Sequence, residues 1–287
     1  MGIIGKGILF NLIFCINFIP VLSQTIAIEG GIYNEENKEP IAYASIYSED
    51  NQFLSFCNSK GFFYIEIPVN HKYITVKSLG YDSQKVVINE DDAGGFIKIH
   101  LTPKTYYMEE LVIESIKSKE MTIGDTLLKN PLKSLSFGSV PYAAIAIPFT
   151  FKKYPANIQN ISFYIESNYI GQFDFRVRFL TKGKGKKPET DLLEHNLIHH
   201  SNQQKGWVRI ECKNNNFVIN DKNIFLVIEI IQDKSRDNIP PNIPFSTPGF
   251  GYNEYQNQKT FIATKPNTWN LSKKINVIAN INYFYLE

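Results

Sequence analysis

The residues that come closest to a reactive set are the adjacent histidines His199-His200, with Asp191, Glu194 and His195 just before them. Imidazole and carboxylate ligands are the usual makings of a zinc site. Neighbouring residues on a strand point to opposite faces, however, so two adjacent histidines do not readily share one ion. The plainer reading is a polar edge strand. The loop Asp233-Lys234-Ser235-Arg236-Asp237-Asn238 offers hard oxygen donors of the kind calcium takes. It lacks the spaced acidic ligands and closing glutamate of a calcium loop, and it carries two cations. Lys182-Gly183-Lys184-Gly185-Lys186-Lys187 mixes glycine and lysine, but not at phosphate-loop spacing, and it reads as a solvated hairpin tip. Such a tip offers at most a weak, salt-sensitive contact to anionic glycans or lipopolysaccharide. Glu90-Asp91-Asp92 is a charged turn; carboxylates adjacent in sequence are not an acid–base pair set across a substrate. The sequence holds no Gly-x-Ser-x-Gly elbow and no His-Glu-x-x-His motif. These readings leave no catalytic residue, metal ligand or cofactor to nominate, and a non-enzymatic protein is expected.

One cluster points to binding. Phe250, Tyr252 and Tyr255 lie among Asn253, Gln256 and Asn257, and Trp269 follows. Aromatic rings stack on the apolar faces of sugars while amides take the hydroxyls. Phe250, Tyr252, Tyr255 and Trp269 are therefore the candidate ligand-binding residues. The alternative is that they pack a long loop onto the domain beneath.

The elements that must position these residues are strands. Along Gly61–Pro68, Phe63, Ile65 and Ile67 fall on one face and Tyr64 and Glu66 on the other, the period of a half-buried strand. Asn58-Ser59-Lys60-Gly61 reads as a turn joining Phe53–Cys57 to Phe63–Ile67 as a hairpin. Ile74 and Val76 alternate in the same way. Gly80-Tyr81 supplies a bend and an aromatic that folds back over the core. With Ile26–Ile32, Ala44–Ile46, Val86–Ile88, Phe96–Leu101 and Leu111–Ile113, the first part of the chain has the strand spacing of a β-sandwich.

Several short pieces of this part, in order, carry a resemblance. They are Ile28-Glu29-Gly30-Gly31-Ile32, Glu39-Pro40-Ile41-Ala42-Tyr43-Ala44-Ser45-Ile46, Lys60-Gly61-Phe62-Phe63, Ser78-Leu79-Gly80-Tyr81 and Glu110-Leu111-Val112. Together they resemble the carboxypeptidase-regulatory-like family, whose members have a transthyretin-like (prealbumin-like) sandwich and abound in Bacteroidetes surface proteins. The resemblance implies a fold and an accessory or spacer role, not catalysis. Cys57-Asn58-Ser59 departs from the Thr-Asp-like turn common in that family.

Downstream, Ile116–Ser139 turns Lys- and Ser-rich. Lys117-Ser118-Lys119-Glu120 reads as a solvated linker, and Thr126–Leu135 as a segment with room for one short helix. A second β-rich block follows. Phe173, Phe175, Val177 and Phe179 alternate with Asp174, Arg176 and Arg178, which are expected on the outer face. Ile224–Ile231 is apolar on both faces apart from Glu229 and reads as a central covered strand. Ile275–Leu286 is a long final strand. A jelly-roll-like sandwich is expected. The set Phe175-Arg176-Val177-Arg178-Phe179, Lys187-Pro188, Asp191-Leu192-Leu193, Gly206-Trp207 and Trp269 resembles an uncharacterised sandwich domain of Bacteroidetes exported proteins.

The chain has 287 residues, 43% hydrophobic and 20% charged, with a net charge of +2. That suits two globular domains and shows no global field for nucleic acid or membrane. Residues 1–23 read as a signal peptide, with Lys6, the apolar run Ile8–Leu22 and a small-residue cleavage signal before Gln24. A membrane anchor or a lipoprotein box at Leu12-Ile13-Phe14-Cys15 are the alternatives. Of three cysteines, Cys57 and Cys212 would remain, as buried free thiols. The expected plan is all-β: residues 24–115 a transthyretin-like sandwich, 116–140 a linker, and 141–287 a jelly-roll-like sandwich. The expected function is an exported envelope or surface component, non-enzymatic, with a glycan or another envelope protein as partner. The alternatives are a carbohydrate-binding protein using the second sandwich and a hydrolase-associated regulatory subunit. A third receptor-type role, a plug before an outer-membrane barrel, needs more strands than this length supplies. The sequence does not fix the oligomeric state.

Overall fold

A computed structural model describes residues 25–89, 92, 94–104, 118–128, 132–138, 140, 142–169, 171–212, 217–231, 247–254 and 260–286. The expected leader 1–23, the expected strand Leu111–Ile113, the calcium-loop candidate Asp233–Asn238 and Tyr255 lie outside them. Among the described residues the protein is all β apart from single turns of 3-10 helix such as Lys184–Lys186. The expected class, two β-sandwiches, is what forms.

Among the described residues the first sandwich has seven strands: β1 (Thr25–Asn34), β2 (Ser45–Tyr47), β3 (Phe53–Phe56), β4 (Phe62–Pro68), β5 (Tyr73–Lys77), β6 (Gln84–Val87) and β7 (Phe96–Leu101). One sheet has the order β4-β1-β7 and the other β3-β2-β5-β6. The period of two in β4 does what it predicts. Phe63, Ile65 and Ile67 enter a core with Ile28, Ile32, Ile46, Ile74 and Val76, while Phe62, Tyr64 and Glu66 face outward.

The turn Asn58–Gly61 forms, with Gly61 at φ +77° and the Asn58 side-chain oxygen accepting from the backbone of Lys60 and Phe62 at 2.9 and 3.0 Å. It does not close a hairpin. β3 pairs with β2 and β4 with β1, so the turn carries the chain from one sheet to the other. Local alternation sets which face of a strand is buried but not which strand lies beside it. Tyr81 does fold over the core after Gly80, which sits at φ +83°.

The segment expected as a linker is a correction. Ser118–Gly124 is strand β8, paired antiparallel with the last strand along its length, and Lys133–Leu135 is β9. β8 lies at a sheet edge with only Ile123 buried and Met121 packed against the core. Its polar residues face water, which is why its sequence resembles a linker. Lys133–Leu135 is likewise extended, not helical.

The second sandwich continues with β10 (Ala143–Thr150), β11 (Ala156–Ser167), β12 (Phe173–Lys182), β13 (Pro188–Asp191), β14 (Leu197–Ser201), β15 (Gly206–Glu211) and β16 (Val218–Ile219). It closes with β17 (Asn223–Ile231), β18 (Gly249–Glu254), β19 (Thr260–Ala263), β20 (Asn270–Ser272), β21 (Ile275–Val277) and β22 (Ala279–Leu286). One sheet runs β13-β12-β17-β10-β19-β20, with β14 also on β12. The other runs β21-β18-β11-β22-β8, with β15 and β16 on β11 and β9 on β18. The chain crosses between these sheets from β10 to β11 to β12 and again from β17 to β18 to β19, so the core is closed by long-range pairings. Ile145, Phe163, Phe175, Ile228 and Ile281 meet in it. β17 is central and almost wholly buried, as its two-sided apolar pattern predicts. The final strand is interrupted at Ile278, which lies between β21 and β22.

Candidate functional site: a buried seam and an exposed aromatic face

Of the residues nominated for ligand binding, Phe250, Tyr252 and Trp269 are described, and Phe250 and Trp269 lie in separate clusters. Phe250 is fully buried in the core between the two sheets of the second sandwich, its ring 5.7 Å from Phe163 and 6.0 Å from Phe175. Trp269 is 6% exposed and belongs to a different cluster, on the outside of the other sheet. Tyr252 is half-buried against the core. Phe250 and Trp269 are thus packing residues, and Phe250, Tyr252 and Asn253 lie on strand β18. Burial of large rings dominates core energetics, and nothing in local sequence separates that use from a binding use.

The histidine pair behaves as an edge strand. His199 and His200 lie on β14, which pairs with β12. Burial, then the neighbouring His200, lowers the pKa of His199. His200 Nδ1 lies 2.7 Å from Asp174 Oδ1. No group of three or more metal-type ligands occurs among the described residues. Lys182–Lys187 forms the tip between β12 and β13.

Asp174, Arg176 and Arg178 do point away from the core of the second sandwich, as their alternation predicts. Asp174 and Arg176 are nevertheless buried, because the first sandwich covers them, and Arg178 is half-buried beside them. Arg176 and Glu229 are register partners on β12 and β17. Arg176 Nη1 lies 3.2 Å from Glu229 Oε2, with side chains 9% and 3% exposed. A second nitrogen of Arg176 donates to the carbonyl of Tyr43, and the guanidinium sits 5.0 Å from the ring centre of Phe56. Tyr43 in turn donates to Asp174 Oδ2 at 3.1 Å. Arg178 binds Asp191 at 2.6 Å and lies 3.9 Å from Glu229. Burial works against the charge of Arg178, but Glu229 and Asp191 outweigh it and raise its pKa. Burial, followed by Glu229, pushes the Tyr142 phenol well above its ordinary value and raises Tyr47.

Small residues make room for this contact. In register across the sheet, Glu229 is followed by Ala144 and then Ala263. Over these alanines lie Tyr43, Phe56 and Tyr142, with Phe53 packed alongside, its ring 4.7 Å from Phe56 and 5.5 Å from Tyr142. A second contact lies at the bend after β5. A Cβ on Gly80 would be 2.7 Å from the carbonyl oxygen of Glu194, and Asn196 donates to Ser78 Oγ at 3.4 Å. The two sandwiches are therefore joined by a buried aromatic and ionic seam. Alternation placed Asp174, Arg176 and Arg178 on the outer face without showing that a second sandwich lies over it. The signal that could have shown this is Glu229, a lone carboxylate in an otherwise apolar central strand, which must have a buried partner.

The opposite sheet of the first sandwich presents the reverse situation. On the outer face of β4-β1-β7, Phe62, Tyr64 and Phe96 are 44, 51 and 51% exposed. Phe62 pairs in register with Gly31, and Tyr64 and Phe96 both with Glu29. With no side chain at Gly31, the Tyr33 side chain lies over that position, where a Cβ would meet its hydroxyl at 2.6 Å and its ring at 2.7 Å. The rings of Phe62 and Phe96 meet across the central strand at 5.9 Å, and those of Tyr33 and His100 at 5.8 Å. Glu66 accepts from the Tyr64 hydroxyl at 3.1 Å. Alternation of β4 already placed Tyr64 and Glu66 outward; only the topology brings Phe96 beside them.

Among the described residues the first sandwich has seven strands, with a parallel β1–β7 pair and β4 at its edge. Residues 28–113 match the CarboxypepD_reg-like domain family. The CarboxypepD_reg-like domain thus supplies both the exposed aromatic face and one half of the seam. No curated protein shows a significant match to the chain. Among solved structures, similarity is found to the cysteine protease and lectin-like domains of Cwp84, a surface layer associated protein of Clostridium difficile. Identity is 12%, with 83% of this chain and 49% of that one covered and a TM-score of 0.38. Clostridial cysteine protease Cwp84 after propeptide cleavage gives 13% identity, 89% and 61% coverage and a TM-score of 0.41. The major pilin subunit BcpA of Bacillus cereus gives 11% identity, 89% and 70% coverage and a TM-score of 0.20. The chain spans about half to three fifths of the length of the two clostridial chains. Among the described residues no helix is long and apolar enough to cross a membrane.

Proposed function

We propose that this protein is a non-enzymatic, exported envelope or surface component of a Bacteroidetes-type cell. Its CarboxypepD_reg-like domain presents an aromatic sheet face to neutral glycan, and its second sandwich holds that domain in a fixed orientation. The observation that carries this reading is the pairing of opposites on one small sandwich. Its four-stranded sheet is clamped to a larger body through Tyr43, Phe53 and Phe56. Its three-stranded sheet leaves Phe62, Tyr64 and Phe96 in water. Clustered exposed rings mark interaction sites, and aromatic rings rather than aliphatic chains suit the C–H face of a sugar. Glu29 and Glu66 stand among them as acceptors for sugar hydroxyls. The glycan reading thereby moves from Phe250 and Trp269, which are packed away, to the first domain.

A glycan array with wild-type protein and the triple variant Phe62→Ser/Tyr64→Ser/Phe96→Ser tests it. With about 1 kcal/mol per ring, binding should weaken about a hundredfold without loss of thermal stability. A folded wild-type protein that binds no glycan would refute the glycan part. A turnover abolished by one point mutation would refute the non-enzymatic part.

A further inference from the structure

The outer face of the other sheet of the first sandwich, beside the seam, carries a polar groove of about 490 Å³. At its centre is Thr75 of β5, in register with Tyr47 on β2 and with Lys85 on β6. Lys77 follows on the same face of β5. Lys77 Nζ lies 4.7 Å from the ring centre of Tyr47, and Lys85 Nζ lies 4.0 Å from that of Tyr73. These rings hold two long cationic side chains in place and reduce the ordering cost of using them. Neither lysine forms an ion pair among the described residues. Ser83 adds a second hydroxyl to the lining. One carboxylate, Glu49, also lines the groove, but its Oε2 is tied to the Lys72 backbone N–H at 2.7 Å. The lining is thus net positive, with two ammoniums and two hydroxyls borne on or beside paired strands.

We propose that this groove binds a tetrahedral oxyanion, a phosphate ester, between Lys77 and Lys85. Charge complementarity selects an anion, and donors arriving from two ammoniums and two hydroxyls match an oxyanion with three free oxygens better than a planar carboxylate. The ester can be carried by a sugar or by a lipid headgroup. The groove shares no residue with the aromatic face, so the two sites stand or fall separately.

The test is an NMR titration of the full chain, following the amides of Thr75, Lys77 and Lys85. The probes are inorganic phosphate, a hexose phosphate, vesicles containing phosphatidic acid, and acetate. Phosphate is expected to shift these amides and acetate is not. Tighter binding of the hexose phosphate than of inorganic phosphate assigns the ester to a sugar, and binding confined to the vesicles assigns it to a lipid. Each lysine should contribute about tenfold, so Lys77→Ala/Lys85→Ala should abolish the shifts while Lys98→Ala, on the opposite sheet, leaves them. Thermal melting of each variant confirms that it is folded. Equal shifts with acetate, shifts spread over all surface lysines, equal loss in Lys98→Ala, or no shift with any phosphate probe would overturn the proposal. Neutral-glycan binding should be unchanged in Lys77→Ala/Lys85→Ala, which separates a failure here from a failure at the aromatic face.

Discussion

Replacing Arg176 by methionine probes the seam at its most buried charge. The substitution keeps an unbranched chain over Phe56 but removes the guanidinium that faces Glu229 at 3.2 Å and donates to the Tyr43 carbonyl. Removing one partner of a buried pair costs about 3–5 kcal/mol, because the remaining charge is stranded. Arg178, 3.9 Å from the other oxygen of Glu229, retains part of the compensation. That places the pair at the lower end, about 3 kcal/mol. Loss of the hydrogen bond to Tyr43 and of the cation–π contact adds about 1 kcal/mol. Urea unfolding should therefore show a lower midpoint with an unchanged slope. In Arg176→Met/Glu229→Leu both charges are gone and Arg178 still has Asp191, so most of the loss should be recovered. A single-variant cost below about 1 kcal/mol, the worth of an exposed pair, would mean that the sandwiches do not cover this pair in solution.

The remaining predictions concern backbone, thiols and packing. Gly80→Ala places a side chain at φ +83° and 2.7 Å from the Glu194 carbonyl oxygen, so it should lower stability by about 2 kcal/mol or more in a thermal melt. Burial pushes both Cys57 and Cys212 from 9.0 up to about 12, so neither should react with a thiol reagent in the native protein at neutral pH, whereas both react in urea. A pKa raised on folding gives stability that is complete below the unfolded value and is lost as pH rises toward the folded one. The Cys57→Ala/Cys212→Ala protein should accordingly lose less stability than wild type between pH 9 and 12. Phe250→Ala should cost about 3–5 kcal/mol in unfolding experiments as a core truncation and leave glycan affinity of the folded protein unchanged.

Side-chain period made much of this legible in the sequence. Phe63, Ile65 and Ile67, the two-sided apolar run of β17, and the inward set Phe173, Phe175, Val177 and Phe179 all lie where alternation places them. What alternation lacks is the identity of the neighbour. The turn at Asn58 was legible, but its two strands join different sheets. Ser118–Gly124 is too polar to announce itself as a strand, because an edge strand needs few apolar residues. The outward face of β12 was assigned correctly to the outside of its own sandwich, yet a second domain lies there. Phe250 and Trp269 show the same limit from the other side, since a ring in a loop-rich stretch is equally suited to a ligand and to a core.

The measurement that bears most directly on the account is an NMR titration of the full chain with a neutral oligosaccharide found by the array. The account predicts shifts confined to the outer face of β1, β4 and β7, around Glu29, Gly31, Phe62, Tyr64 and Phe96. Shifts clustered instead at Phe250, Tyr252 and Trp269 would contradict it.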